Sequence, residues 1–215
     1  MALTFNGSNN TIGGLANGGL PDGCILDADI NGMAASKLSG ALPAISGASL
    51  TGIVAGITEA DTWVVNTDFS DDNVQPITSN WARPSYGGSM SHQLGTGMSE
   101  SSGVFSFPST GYYLIQFKAV YWDNSANAYM RAYIEATPDN GSNYHNIALA
   151  RTSNGHQNPP SMNWESEMIA QAILDVQNTT NYKVRFNVQA GQDVNWQGDA
   201  TRVDTGAYFI RLGDT

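Results

Sequence analysis

From about position 60 onward the chain alternates between apolar and polar residues, as half-buried β-strands do. The clearest example is the segment 182–190. One face of this segment carries Val184, Phe186 and Val188, and we expect that face to lie in the core. Asn187 belongs to the opposite face, where we expect a surface position. The alternation therefore predicts a strand with one buried side.

Similar patterns recur along the rest of the chain and are bounded by turns rich in Gly, Pro, Asn and Ser. In 168–176 the apolar residues are nearly continuous, so we expect that strand to be buried on both faces. Eight or more short strands without a clear helix predict a mainly β fold, a sandwich or a barrel. The further predicted strands are 62–67, 103–107, 112–122, 128–136, 144–151, 165–176 and 206–212.

Residues 1–57 have a different composition. Phe5 is the only aromatic residue before Trp63, whereas 11 of the 23 glycines lie in this segment. It lacks large side chains for a core of its own, yet it is more apolar than an ordinary solvated linker. We interpret it as an extended, Gly-rich segment that buries its aliphatic residues against sister chains and other proteins; a flexible linker is the alternative. The aliphatic residues concerned are Leu38, Leu42, Ile45, Leu50 and Ile53.

The chain thus divides into an attachment and trimerisation segment, 1–57, and a head domain, 58–215. Its net charge of −10 disfavours sequence-independent binding to nucleic acid and to anionic membranes. No stretch approaches the roughly 18 apolar residues of a membrane span, and the N-terminus does not resemble a secretory signal. Cys24 is the only cysteine, which excludes an intrachain disulfide and a site with paired thiolates.

Three segments carry a family resemblance: GVFSFPSTGYYLIQF at 103–117, NYKVRF at 181–186 and TGAYFIRLG at 205–213. An aromatic strand, a Pro/Gly turn and a Tyr-led strand follow one another in the first of them. This pattern resembles the superfamily of complement globular heads and tumour necrosis factors. The resemblance implies a jelly-roll sandwich of about ten strands that assembles as a tight homotrimer, usually for recognition and not for catalysis. The collagen-like stalk of that superfamily is absent, because residues 1–57 have no Gly-X-Y period.

The segments 1–7, 18–23 and 37–47 resemble tail-fibre and other virion proteins of tailed bacteriophages. In those proteins such segments precede receptor-recognition heads. The resemblance implies a virion structural protein, made and assembled in the bacterial cytoplasm. Its N-terminal segment would bind other virion proteins, and its head would bind a host surface glycan or protein. The alternatives are a capsid decoration or fibre protein and, from another class, a carbohydrate-active enzyme domain.

Three tryptophans are candidates for receptor binding: Trp122, Trp164 and Trp196. Each lies at a predicted strand end among Asn, Gln and Ser. Sugar-binding surfaces combine these features, because an aromatic ring stacks on the sugar face while amides bind the hydroxyls. The alternative is that these rings fill the core or a subunit interface.

The sequence supports a metal site or a catalytic site less well than it supports a binding surface. The histidines at 92, 145 and 156 are too far apart for a local metal-ligand spacing. An acidic segment offers oxygen ligands for calcium, but it lacks a known calcium-loop spacing, and we favour a solvated turn. That segment comprises Asp68, Asp71, Asp72 and Asn73.

A pair of carboxylates, Glu165 and Glu167, is expected on one face of a strand. Two such groups can serve glycoside hydrolysis, but paired surface acids are far commoner. No nucleophile elbow, phosphate-binding loop or dinucleotide motif occurs. The sequence therefore predicts no catalytic residue, no metal and no cofactor.

Overall fold

The computed structural model describes residues 4–6, 11–13, 56–86, 92–154 and 164–215. The chain divides into two units, Met1–Gly52 and Ile53–Thr215. In the first unit, β1 (Thr4–Asn6) and β2 (Thr11–Gly13) form an antiparallel pair. The five aliphatic residues assigned to attachment, Leu38, Leu42, Ile45, Leu50 and Ile53, lie outside the described residues.

In the second unit the described residues form twelve strands, and every strand predicted from the sequence is present. No helix in the described ranges is long and apolar enough to cross a membrane. The strands are β3 (Ala60–Val65), β4 (Phe69–Val74), β5 (Trp81–Ala82), β6 (Gln93–Leu94), β7 (Ser99–Ser101), β8 (Val104–Ser106), β9 (Gly111–Asp123), β10 (Asn127–Thr137), β11 (His145–Asn154), β12 (Trp164–Val176), β13 (Lys183–Trp196) and β14 (Gly206–Gly213).

The strands form two antiparallel layers. Sheet 1 has the order β12-β9-β14-β3, with the short strands β5 and β6 paired to β3. Sheet 2 has the order β11-β10-β13, with β4 and β8 paired to β13 and β7 paired to β8. The end of β13 also pairs with β9, which joins the two layers at one edge. This arrangement is a jelly-roll sandwich, as the sequence predicts.

Aromatic rings fill the space between the layers. The ring centroid of Phe186 on β13 lies 4.9 Å from that of Phe117 and 5.4 Å from that of Phe105. Trp81 and Phe209 complete the surroundings of Phe186, at 5.6 and 5.9 Å. Val184, Phe186 and Val188 are fully buried, so the predicted core face of β13 is confirmed.

Two expectations about strand faces are wrong. Asn187 is 2% exposed, so the surface position expected for it is wrong. It belongs to β13, a central strand that pairs with β10 on one side and with β4 and β8 on the other. On β12, Met168 and Ala170 are buried against the core, but Ile169 and Ile173 are 44% and 65% exposed on the other side. The strand lies at the edge of sheet 1 and has only one covered face.

Candidate functional site

The side of sheet 1 that points away from the core is an open apolar surface, which we call the outer face of sheet 1. Cross-strand pairing aligns Ile173, Leu114 and Ile210 in one row. The same row continues through Ala60 of β3 to Leu94 of β6. Side chains that lie directly opposite one another in an antiparallel sheet share a face. The row therefore forms a continuous aliphatic stripe across the sheet.

Exposure marks this face as unusual. Of the nine large hydrophobic side chains that are exposed in the described residues, four belong to it: Leu94, Tyr112, Ile169 and Ile173. Contiguous apolar patches on soluble domains usually mark interaction surfaces. The outer face of sheet 1 is therefore the strongest candidate for an interface.

The polar groups on the outer face of sheet 1 mostly satisfy one another. Gln171 donates from Nε2 to Oε1 of Gln116 at 2.9 Å, and Lys118 forms a 3.0 Å ion pair with Glu167. Burial raises the pKa of the Tyr208 hydroxyl above 10.0, although Lys118 opposes the shift. The phenol is therefore neutral at physiological pH. Lys118 and Glu167 thus balance each other, whereas Glu165 and Asp175 on the same face have no basic partner among the described residues.

Of the predicted tryptophans, Trp196 is a core residue. Its side chain is fully buried, and its Nε1 donates to the backbone oxygen of Asp71 at 3.0 Å. Its ring packs against Phe69 and Tyr121, with centroids 6.4 and 5.8 Å away. The exposure expected for Trp196 is wrong, because its position in β13 points it between the sheets.

The other two tryptophans lie near one end of sheet 1. Trp122 is opposite Glu165, and the exposed Trp164 is opposite Asp123. Because these are successive register positions, the two side chains belong to opposite faces of the sheet. Trp122 lines a depression of about 220 Å³ together with Asn124, Asp193 and Asn195. Binding of a receptor by Trp122 and Trp164 stays a prediction.

The acidic segment has a neighbour that the sequence analysis missed. Carboxylate oxygens of Asp71, Asp72 and Asp193 lie within 4.8 Å of one another, on exposed side chains. Asp68 instead accepts a hydrogen bond from the Gly198 backbone at 2.8 Å. Only the long-range pairing of β4 with β13 brings Asp193 to this segment. Asp71 and Asp72 belong to β4, so the turn expected here is a strand, and exposed carboxylates on such a strand are typical of a solvated surface.

The predicted pair of carboxylates lies on the outer face of sheet 1. Glu165 accepts a hydrogen bond from Gln197 Nε2 at 3.3 Å, and Glu167 pairs with Lys118. Both side chains are exposed. The two residues therefore act as surface partners of neighbouring side chains.

No protein-family model matches the sequence, and no curated protein matches it. Solved structures do match. The Eiger TNF of S. frugiperda gives a TM-score of 0.56 at 14% identity, over 74% of this chain and 95% of that one. Murine APRIL at pH 5.0 gives a TM-score of 0.50 at 11% identity, over 72% of this chain and 98% of that one. At these identities the similarity shows the fold, which is a TNF-like jelly roll.

Proposed function

We propose that this chain is a homotrimeric recognition protein of a tailed-phage virion, a tail fibre whose jelly-roll head contacts the host surface. The observation that carries the proposal is the open outer face of sheet 1. The resemblance of the sequence to the tumour necrosis factor superfamily supports the trimer, and the resemblance of residues 1–47 to virion proteins supports the location.

Burial of the outer face of sheet 1 supplies the driving force for assembly. Ile173 and Ile169 are exposed in the single chain, and covering each side chain contributes about 1–2 kcal/mol. The Gln116–Gln171 hydrogen bond and the Lys118–Glu167 ion pair lie within this face. Their pairing lowers the desolvation cost of covering it. A second and a third copy of the same chain present the same aliphatic stripe.

The assembly is tested by Ile173→Glu, which places a charge at the most exposed residue of the aliphatic stripe. The matched control is Leu149→Glu, which makes the same change at an exposed residue of β11 in sheet 2. Analytical ultracentrifugation of the unmodified chain should show a species of three chains of 22.9 kDa. Ile173→Glu should sediment as a monomer and Leu149→Glu as a trimer. A monomeric unmodified chain at micromolar concentration would end the proposal.

The location and the activity require separate measurements. Immunogold labelling of phage particles should place the chain on the tail, whereas labelling of the head would favour decoration. Incubation with a glycan array should show binding without release of products. Product release would indicate an enzyme, and neither binding nor release would again favour a decoration protein.

The attachment role of the N-terminal segment is tested by deletion. A chain of residues 58–215 should fold but fail to enter particles, because its aliphatic anchors are missing. If this shortened chain does not fold while the full chain does, the boundary is misplaced.

A further inference from the structure

Two arginines lie side by side on the face of sheet 2 that points away from the core. Arg131 of β10 is directly opposite Arg151 of β11 in the antiparallel register. Side chains at such positions share a face, with Cβ atoms about 4.5–5.5 Å apart. We call this pair and its surroundings the arginine pair site.

Most basic residues in the described ranges have a carboxylate partner. Besides the two arginines, Lys183 lacks one, and its Nζ donates to Ser106 and to the Thr179 backbone instead. The net charge is −10, so carboxylates outnumber cations. Five basic residues in the described ranges form ion pairs with carboxylates: Arg83, Lys118, Arg185, Arg202 and Arg211. In the same ranges neither Arg131 nor Arg151 has a carboxylate within 4.0 Å. Glu135 lies on the same face of β10 but already pairs with Arg185 at 2.7 Å.

Like charges directly opposite each other on neighbouring strands destabilise a sheet. Neutral groups hold one member of the pair in place. Arg131 donates to Oε1 of Gln189 at 3.2 Å, and its guanidinium carbon lies 4.5 Å from the ring centroid of Tyr129. Tyr133 donates to the same Gln189 oxygen at 2.9 Å. Arg131 is thus oriented without being neutralised, and the repulsion from Arg151 is relieved when an anion binds between them.

The surroundings indicate what kind of anion fits. The two arginines, Tyr129, Thr152 and Ser153 line a depression of about 480 Å³. Guanidinium groups bind carboxylates and sulfates through paired hydrogen bonds. An aromatic ring provides a stacking surface for a sugar, and the Ser153 hydroxyl provides a partner for one of its hydroxyl groups. Thr152 is opposite the buried Met130 in the register, and its hydroxyl is hydrogen-bonded to Tyr121. A small inorganic anion would use only the guanidinium groups.

We propose that the arginine pair site binds an anionic saccharide, whose carboxylate or sulfate group lies between Arg131 and Arg151 and whose ring packs on Tyr129. This inference goes beyond the proposed function. It holds for a monomer as well as for a trimer, and it does not depend on where the chain is found.

Calorimetric titration of the purified full-length chain tests it with four probes. Oligogalacturonate carries carboxylates on sugars, dextran sulfate carries sulfates on sugars, dextran is neutral, and poly-L-glutamate carries carboxylates without sugars. At least one of the two anionic saccharides should bind, and added salt should weaken its binding. Dextran should not bind, and poly-L-glutamate should bind about tenfold more weakly or not at all.

Arg151→Gln is the decisive variant, and Arg202→Gln on an exposed loop is the control with the same change in charge. Arg151→Gln should weaken saccharide binding by about tenfold or more, because a charge-assisted contact is lost. It should not lower the melting temperature, since it removes a repulsion. Arg202→Gln should bind within about twofold of the unmodified chain. Arg151→Lys keeps the charge but not the paired geometry, and it should fall between the two.

Three results would overturn the proposal. The first is that neither anionic saccharide binds. The second is that Arg151→Gln and Arg151→Lys both bind as tightly as the unmodified chain. The third is that poly-L-glutamate binds as tightly as the saccharides, because the site would then recognise negative charge without any preference for a sugar.

Discussion

The carboxylate of Asp61 is buried at the start of β3 and accepts four hydrogen bonds. Its donors are Trp63 Nε1 at 2.9 Å, Met98 N at 2.7 Å, and Nε and Nη2 of Arg83 at 2.8 and 2.7 Å. The Asp61 side chain is almost completely buried, whereas that of Arg83 is 35% exposed. Asp61 therefore joins β3 to two segments that are distant in sequence. The variant Asp61→Asn tests how much these hydrogen bonds contribute to the stability of the fold.

Asparagine has nearly the same shape but replaces one oxygen with an NH₂ group. Since both carboxylate oxygens of Asp61 accept hydrogen bonds, either orientation of the amide sets its NH₂ against at least one N–H donor. The charge that balances Arg83 is also lost. Breaking a buried ion pair costs about 3–5 kcal/mol. The partial exposure of Arg83 reduces this figure, and we expect a loss of about 2–4 kcal/mol.

Thermal melting followed by circular dichroism measures the effect. For a chain of this size each kcal/mol corresponds to about 2–4 °C, so Asp61→Asn should melt about 4–16 °C lower. Asp72→Asn changes an exposed carboxylate and should stay within about 0.5 kcal/mol of the unmodified chain. The double variant Asp61→Asn/Arg83→Leu should lose less stability than the two single variants added together. Each single change leaves its partner without a hydrogen-bonding or charge partner, and the double change does not. A melting temperature for Asp61→Asn within about 2 °C of the unmodified chain would refute this account.

Three further predictions follow from the packing and the loops. Phe186→Ala should lower the free energy of unfolding by about 3–5 kcal/mol, measured by urea unfolding, because four aromatic rings surround this side chain. A loss below about 1 kcal/mol would contradict the assignment of Phe186 to the core. Trp122→Ala and Trp164→Ala should abolish adsorption to the host without early melting, whereas early melting with normal adsorption would assign both rings to packing. Hydrogen bonds from Thr137, and then from Asn143, lower the pKa of Asp139 from 3.8 to about 2. The stability that they provide is present above pH 3.8 and is lost as the pH falls toward 2. In Thr137→Val an NMR titration should show this pKa rising toward 3.8, and an unchanged value would contradict the assignment.

The long strands could be predicted from the sequence because apolar residues occupy their buried positions and polar residues most of their exposed positions. The predicted strand 112–122 corresponds to Gly111–Asp123, in which buried and less buried residues alternate along the whole length. The short strand Phe69–Val74 was missed, because it is mostly polar and pairs with β13 through its backbone. Pairing of this kind leaves no hydrophobic period in the sequence.

The burial of Trp196 was within reach of the sequence. The positions of Phe186 and Trp196 differ by an even number, and both residues belong to β13, which continues past the predicted end at 190. Extending the alternation would have placed Trp196 on the core face. The adjacent amide residues suggested a loop instead. The alternation of faces along the strand therefore indicates the burial of Trp196 better than the polarity of its neighbours does.

The open face of β12 could not be identified in this way. An apolar run such as 168–176 shows that both sides of a strand avoid water, but not whether the second side is covered by the same chain or by another copy. The strand register makes this distinction, because it leaves Ile169 and Ile173 exposed on a face that the described residues do not cover. The pairing of Arg131 with Arg151 is equally invisible in the sequence, because the two residues are twenty positions apart.

The two outer faces of the sandwich differ in chemistry, and this difference separates the two proposals experimentally. Assembly through the outer face of sheet 1 leaves the arginine pair site on sheet 2 uncovered, so a trimer carries three such sites. Three weak sites on a repetitive surface bind by avidity, at a strength that no single site reaches. A monomeric Ile173→Glu variant should therefore keep the affinity of the unmodified chain for a short anionic oligosaccharide but lose its retention on a dense saccharide surface. Arg151→Gln should lose both while remaining a trimer.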